Sequence, residues 1–297
     1  MGLIRLGVLA AGLAIWYPLH MQPMEYKNST DRYTIPQELE VVNASYHTRN
    51  KKEPVIVKSD GLEKKIQTKD IDFSKDFTIE TDRYKLIKDK DWLPSRLVGH
   101  TFALPGRLIF WDWNYGWGQD EERTKAALSM LEKDTTIKNI TVRLNHNEAF
   151  YDGYRMFTEK KLRKRNNFFA RVLLGIPTTL FNEVWAEFSR GSYYNSMTQT
   201  VVCYSNIESI TAHELGHHKD FQRFSSDWEY QLSRILPPFM LSQEWKASKH
   251  ARDEILDKKD RWQFDRYLVP AFATYVLAAV AILYNIFKRK EEDGKSS

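Results

Sequence analysis

The chain has 297 residues, 42% hydrophobic and 28% charged, with a formal net charge of +5. That is enough apolar material for one sizeable core, and much of the positive excess is local, in the run Lys160, Lys161, Arg163, Lys164 and Arg165. A single cysteine, Cys203, excludes an intrachain disulfide, and no nucleic-acid motif accompanies the basic run, so a nucleic-acid partner is not expected.

Residues 1–19 place Arg5 before the apolar stretch Leu6–Leu19, the pattern of a signal peptide or signal anchor. No A-x-A cleavage site follows, so a retained anchor is expected. Leu6 stands where N-myristoylation needs Ser or Thr. Residues 20–91 are polar and charged, which predicts an extended, partly ordered N-terminal extension with short strands in pieces such as Pro54–Lys58. Asn28, Asn43 and Asn139 stand in N-x-S/T sequons.

An ordered domain is expected over residues 92–266. Arg107–Trp113 reads as a strand, Asp120–Lys133 as a helix with Ala126, Ala127, Leu128 and Leu131 on its apolar face, and Ile137–Leu144 as a strand. The aromatic cluster Trp111, Trp113, Tyr115 and Trp117 suits a core or rim better than a ligand platform. Phe168–Phe181 is apolar but short and interrupted by Arg171, Gly175 and Pro177, which predicts a helix packed in the core or lying on a bilayer. Tyr193–Ser205 reads as a turn and a β-rich strand in which Cys203 is a small buried hydrophobe.

Thr211–Asp220 contains H-E-x-x-H as His213, Glu214 and His217. The expected helix runs over about residues 206–222, opened by a Ser205/Glu208 capping box, with Ile207, Ile210, Leu215 and Phe221 for burial. Residues i and i+4 share one helix face, so both histidines can aim a ring nitrogen at one metal ion. Glu214, beside that ion but off its axis, can take a proton from an activated water.

A catalytic zinc needs a third protein ligand. The pattern H-E-x-x-H-x-x-G-x-x-H fails, because Asp220 and Arg223 occupy the glycine and last histidine positions. Glu244 on a later helix is the preferred ligand, with Asp253 and Glu254 as rivals. Ser248, one turn on, can hydrogen-bond a metal-binding histidine, and Ala247 and Ala251 allow close helix packing. His218 and Asp220 are further candidates for groups supporting the site, and Tyr230, Arg234 and His250 for stabilising an oxyanion.

Residues 267–287 predict a transmembrane helix: the uncharged stretch Leu268–Phe287, at 1.5 Å per residue, covers about 30 Å. A tail over residues 288–297 begins with Lys288, Arg289 and Lys290. These basic residues and Arg5 favour the cytoplasmic side, which puts residues 20–266 outside the cytoplasm.

Taken over Tyr193–Phe287, the pairing of His-Glu-Leu-Gly-His with a downstream Glu-Trp-Lys-Ala-Ser and an apolar Ala-Thr-Tyr-Val-Leu-Ala-Ala resembles the membrane-bound neutral zinc metallopeptidases of bacteria, which are gluzincins. In that group the later motif usually reads Glu-x-x-Ala-Asp, and this chain carries Ser248 at the aspartate position. The resemblance implies an α+β, zincin-like catalytic domain in which β-strands precede the active-site helix. It also implies Zn2+ on His213, His217 and Glu244, with peptide or protein as substrate. In zincins the strand before the active-site helix often forms an exposed edge, so Thr198, Thr200, Val202 and Tyr204 are candidates for pairing with an extended substrate, with an ordinary interior strand as the alternative. A zinc amidase acting on another amide or cell-wall peptide, and a non-catalytic membrane-tethered binding protein, are the alternative functions.

Overall fold

The computed structural model describes residues 35–48, 51–54, 58–60, 63–89, 93–110, 112–113, 115–146, 148–234, 236–256 and 258–295. The expected signal segment at residues 1–19 lies outside these residues. Among them the fold is mixed α+β. Strands β1 (Glu38–Glu40), β2 (Asn43–Thr48), β3 (Lys51–Pro54), β4 (Lys58–Asp60), β5 (Glu63–Gln67), β6 (Phe77–Glu80) and β7 (Tyr84–Lys88) come first. Helices α1 (Leu93–Phe102), α2 (Leu104–Phe110) and α3 (Glu121–Lys133) follow, then β8 (Ile140–Leu144), α4 (Ala149–Thr158) and α5 (Lys160–Arg165). A helical run from Phe168 passes through a π turn at Arg171–Gly175 into α6 (Ile176–Ser189). The chain closes with β9 (Tyr193–Asn195), β10 (Thr200–Cys203), α7 (Glu208–Phe221), α8 (Asp227–Ser233), α9 (Pro237–His250) and α10 (Val269–Lys295).

The main sheet has the order β3-β2-β6-β7-β8-β10-β9, and a small sheet has β1-β5-β4. Strands β7, β8 and β10 are mutually parallel, while the strands at both ends join antiparallel. The helix expected at Asp120–Lys133 is α3: Asp120 caps it by accepting from the Arg123 amide, and it buries Ala126, Ala127, Leu128 and Leu131. It joins β7 to the parallel β8. Its apolar face, Ile79, Leu86, Val142, Val201 and Cys203 of the sheet, and Ala212, Leu215 and Phe221 of α7 form one core. Burial pushes the Cys203 thiol up to about 12, which suits a core residue rather than a reactive thiol.

Three expectations need correction. Residues 20–91 are not simply a stalk: strands over 43–88 form more than half of the main sheet, and Phe77, Ile79, Tyr84 and Leu86 are in its core. Strands β6 and β7 are short and set among charged residues, so the surrounding sequence reads as polar although most of their own residues are buried. The strand expected at Arg107–Trp113 is instead α2 up to Phe110. A short apolar run does not separate strand from helix, and Pro105 fits a helix's first turn. Phe168–Phe181 is helical but not a core element, since Phe168, Phe169, Leu173 and Phe181 are exposed.

Among the described residues one helix, with its apolar window at Phe264–Ala281, is long and apolar enough to cross a membrane. Its α-helical part, α10, continues to Lys295, so the expected tail over 288–297 is helical as far as that residue.

Candidate metal centre

Helix α7 begins at Glu208 without the expected capping box. Ser205 Oγ accepts from the Ile207 amide at 3.2 Å, and Glu208 accepts from Gln263 Nε2 at 3.2 Å. The helix carries little apolar contrast because buried polar residues occupy much of it, His217, His218 and Asp220 among them. Helix α9, started by Pro237 and Pro238, crosses it at a contact where Gly216 faces the backbone of Ala247.

That crossing brings His213, His217 and Glu244 together, with one potential ligand atom of each within 4.8 Å of the others, a group that can hold a metal ion. Both Nε2 atoms face the same carboxylate oxygen: Glu244 Oε2 is 3.2 Å from His213 and 3.4 Å from His217. Both Nδ1 atoms face outward to fixed hydroxyls. Ser248 Oγ lies 3.1 Å from His213 Nδ1, and Tyr230 Oη lies 3.0 Å from His217 Nδ1. With a metal on the Nε2 side, each Nδ1–H has an acceptor, which fixes tautomer and ring orientation. Arg234 Nη2 donates to Glu244 Oε1 at 2.6 Å and so leaves Oε2 to face the histidines. Two imidazoles and a carboxylate converging in this way fit zinc and similar divalent ions.

The electrostatics match. Burial raises carboxylate pKa values, but His217, Arg234 and hydrogen bonds from the histidines hold Glu244 well below the usual range. Burial pushes His217 down to about 4, so its imidazole is neutral at physiological pH. Burial also opposes charge on His213, yet its contact with Glu244 outweighs this and raises its pKa. Glu214 belongs to no part of this cluster's ligand set, and burial raises it to about 7. Its carboxylate accepts a hydrogen bond from the backbone N–H of Tyr194 in β9.

The remaining expected residues fall elsewhere. His218 turns to the sheet, with Nδ1 3.0 Å from Tyr194 Oη and Nε2 2.7 Å from the Lys138 carbonyl. Asp220 is buried with Lys246 Nζ 3.6 Å and Arg223 Nη1 3.9 Å away, among charges outside the cluster. His250 pairs with Glu254 at 2.5 Å, and Glu254 also bonds Lys219, which removes it as a rival ligand. Tyr230 and Arg234 hold the ligands rather than face an oxyanion.

The edge-strand expectation is also corrected. Thr200 and Val202 pair with β8 on one side and β9 on the other, and Thr198 and Tyr204 flank this strand fully buried. The terminal strand of the sheet is β9. A hairpin after Tyr193–Asn195 turns the chain before β10, with Gln199 at φ 51° closing the turn. The hairpin is legible as the Asn-Ser-Met-Thr-Gln turn, but its second strand is the interior one.

A cavity of about 170 Å³ opens beside the cluster, lined by His213, Glu214 and Glu244 together with Tyr115, Gly191, Ser192, Tyr267, Ala271, Phe272 and Tyr275. Tyr115 enters it from a turn that needs positive φ at Gly116 (79°) and Gly118 (89°). Tyr115 belongs to the aromatic cluster expected at a core or rim, and here it lines the cavity; Tyr275 is hidden inside the apolar stretch of α10. Compared with known proteins, the chain matches no family model, no curated protein and no solved structure.

Proposed function

We propose that this chain is a membrane-anchored, zinc-dependent metalloendopeptidase of the gluzincin type, with a zincin-like catalytic domain. The observation that carries this reading is the convergence of His213 and His217 on Glu244 with an unligated, buried Glu214 beside them. A zinc ion held by the three ligands supplies a Lewis acid that polarises a peptide carbonyl and makes water acidic near neutral pH.

Glu214, raised to about 7, takes the proton of the attacking water and hands it to the leaving nitrogen. Ser248 and Tyr230 hold the histidine rings, and Arg234 holds the third ligand. Because Glu214 neighbours Tyr194 of the terminal strand β9, an extended peptide added at that strand lies beside the general base, which favours a peptide substrate over a small amide.

Helix α10 is the membrane anchor in this reading. The basic residues Lys288, Arg289 and Lys290, which follow its apolar stretch within α10, together with Arg5 favour a catalytic domain on the non-cytoplasmic side. The test is Glu214→Gln in the purified full-length protein. Zinc content stays at the wild-type level and hydrolysis of a peptide library falls by about 10²–10⁴-fold. Undiminished hydrolysis with Gln at this position removes the mechanism.

A further inference from the structure

The helical run into α6 has two unlike sides. Its inner side is fastened to the sheet: Thr179 accepts from Asn195 Nδ2 at 2.9 Å, and Ala186 packs against Val202 and Tyr204. Its outer side presents Phe169, Leu173, Leu180 and Val184, which are 72%, 68%, 40% and 57% exposed. Neighbouring α1 adds Leu97 and Phe102 at 64% and 60%. Exposed apolar residues are ordinary when scattered, but a contiguous set of large ones marks a binding face.

The position and charge of this face say what covers it. At its start α5 exposes Lys160, Lys161, Arg163 and Lys164, a cationic step directly before the apolar helix. At its end the αL residue Arg190 terminates α6, packs against Gly99 of α1 and donates to the Gly116 carbonyl at 3.3 Å. The same 112–118 segment meets the start of the apolar C-terminal helix, where Tyr267 Oη donates to Asp112 Oδ2 at 2.7 Å. So the C-terminal end of α6 and the start of the candidate span meet the same segment, and residues next to both, Gly191 and Ser192 after α6 and Ala271 and Phe272 of α10, line the cavity.

We propose that the outer side of α6, with α1, is seated in the headgroup and acyl boundary of an anionic bilayer, with the α5 cations on lipid phosphates, so that the cavity beside Glu214 opens at the membrane surface. This deepens the proposed function and rests on its reading of α10 as a span. Apolar side chains in the boundary and basic side chains at the phosphates each add to binding, the latter most strongly on anionic lipid. A substrate then reaches Glu214 along the bilayer surface rather than from bulk water.

The test uses the full chain with Cys203→Ser, carrying a fluorophore on Leu173→Cys, Val184→Cys or, as control, the exposed Lys69→Cys. Each is reconstituted in vesicles of phosphatidylcholine with phosphatidylglycerol. The expected result is iodide quenching about fivefold weaker at positions 173 and 184 than at 69, and quenching by acyl-chain nitroxide at least about twofold stronger. Replacing phosphatidylglycerol by phosphatidylcholine is expected to weaken the nitroxide quenching at 173 by about twofold.

Iodide access at 173 and 184 equal to that at 69, in a chain that alkaline carbonate does not extract, overturns the inference and leaves the span standing. Extraction by carbonate with nitroxide quenching retained removes the span and keeps the lipid-seated face. Shielding from both quenchers assigns the face to a second copy of the chain and overturns the inference, as does indifference to the anionic lipid.

Discussion

Gly216 and Ala247 meet backbone to backbone: a Cβ on Gly216 would lie 2.3 Å from the Ala247 carbonyl oxygen. That contact sets the spacing between α7 and α9, and hence the reach of Glu244 to His213 and His217. Gly216→Ala therefore has to push α9 away. The overpacking costs about 1–3 kcal/mol, against about 1 kcal/mol that alanine adds by helix propensity. Lower thermal stability together with weaker zinc binding is the expected outcome, read by calorimetry and zinc titration; unchanged zinc affinity would mean that this spacing does not position the ligand.

Ser248 and Tyr230 each face the Nδ1 of one histidine at 3.1 and 3.0 Å. Ser248→Ala and Tyr230→Phe remove only the hydroxyls. Each is expected to weaken zinc affinity by about 10–100-fold while circular dichroism stays native. Equal affinity in both variants would show that the rings are held by packing alone.

Arg234 is the cationic side chain hydrogen-bonded to the buried Glu244, at 2.6 Å. Arg234→Met leaves that carboxylate short of a partner in the metal-free protein, at a cost of roughly 2 kcal/mol after allowing for the partial exposure of Arg234. Zinc supplies the missing positive charge, so denaturant midpoints of wild type and variant converge when zinc is added. A gap that zinc does not narrow contradicts the placement of the metal on Glu244.

His218 gives the metal-free protein a pH dependence. Burial pushes its pKa from 6.5 down to about 4. Between those values the unfolded chain binds a proton that the folded chain refuses, so protons favour unfolding. The contribution is complete above the unfolded value and shrinks as pH falls toward 4, by roughly 3 kcal/mol in all. His218→Gln is expected to flatten the slope of stability between pH 7 and 5 in urea titrations; a slope unaltered by the change would assign the acid sensitivity to other groups.

The metal cluster was legible because its information is local. His213, Glu214 and His217 are fixed by one helix period, and Glu244 and Ser248 by another. What escaped lies in contacts between elements far apart in the chain. Nothing near Arg234 says that it will hold Glu244, and nothing near Tyr115 says that a turn of two positive-φ glycines will carry it to the cavity. The main sheet is legible only in part, because β6 and β7 bury nearly all their residues, Thr78 and Lys88 included, while the sequence around them reads as polar on average. Thr200–Cys203 reads as a strand and forms one, but sequence order does not reveal that β9 pairs along its outer side.

The central claim is that His213, His217 and Glu244 form one metal centre. Elemental analysis of the purified full-length protein, wild type beside Glu244→Ala, tests it most directly. About one zinc per chain in wild type, lost or strongly weakened in the variant, is the predicted result. Well-folded wild type that takes up no zinc, or a variant that retains one zinc at wild-type affinity, would contradict it.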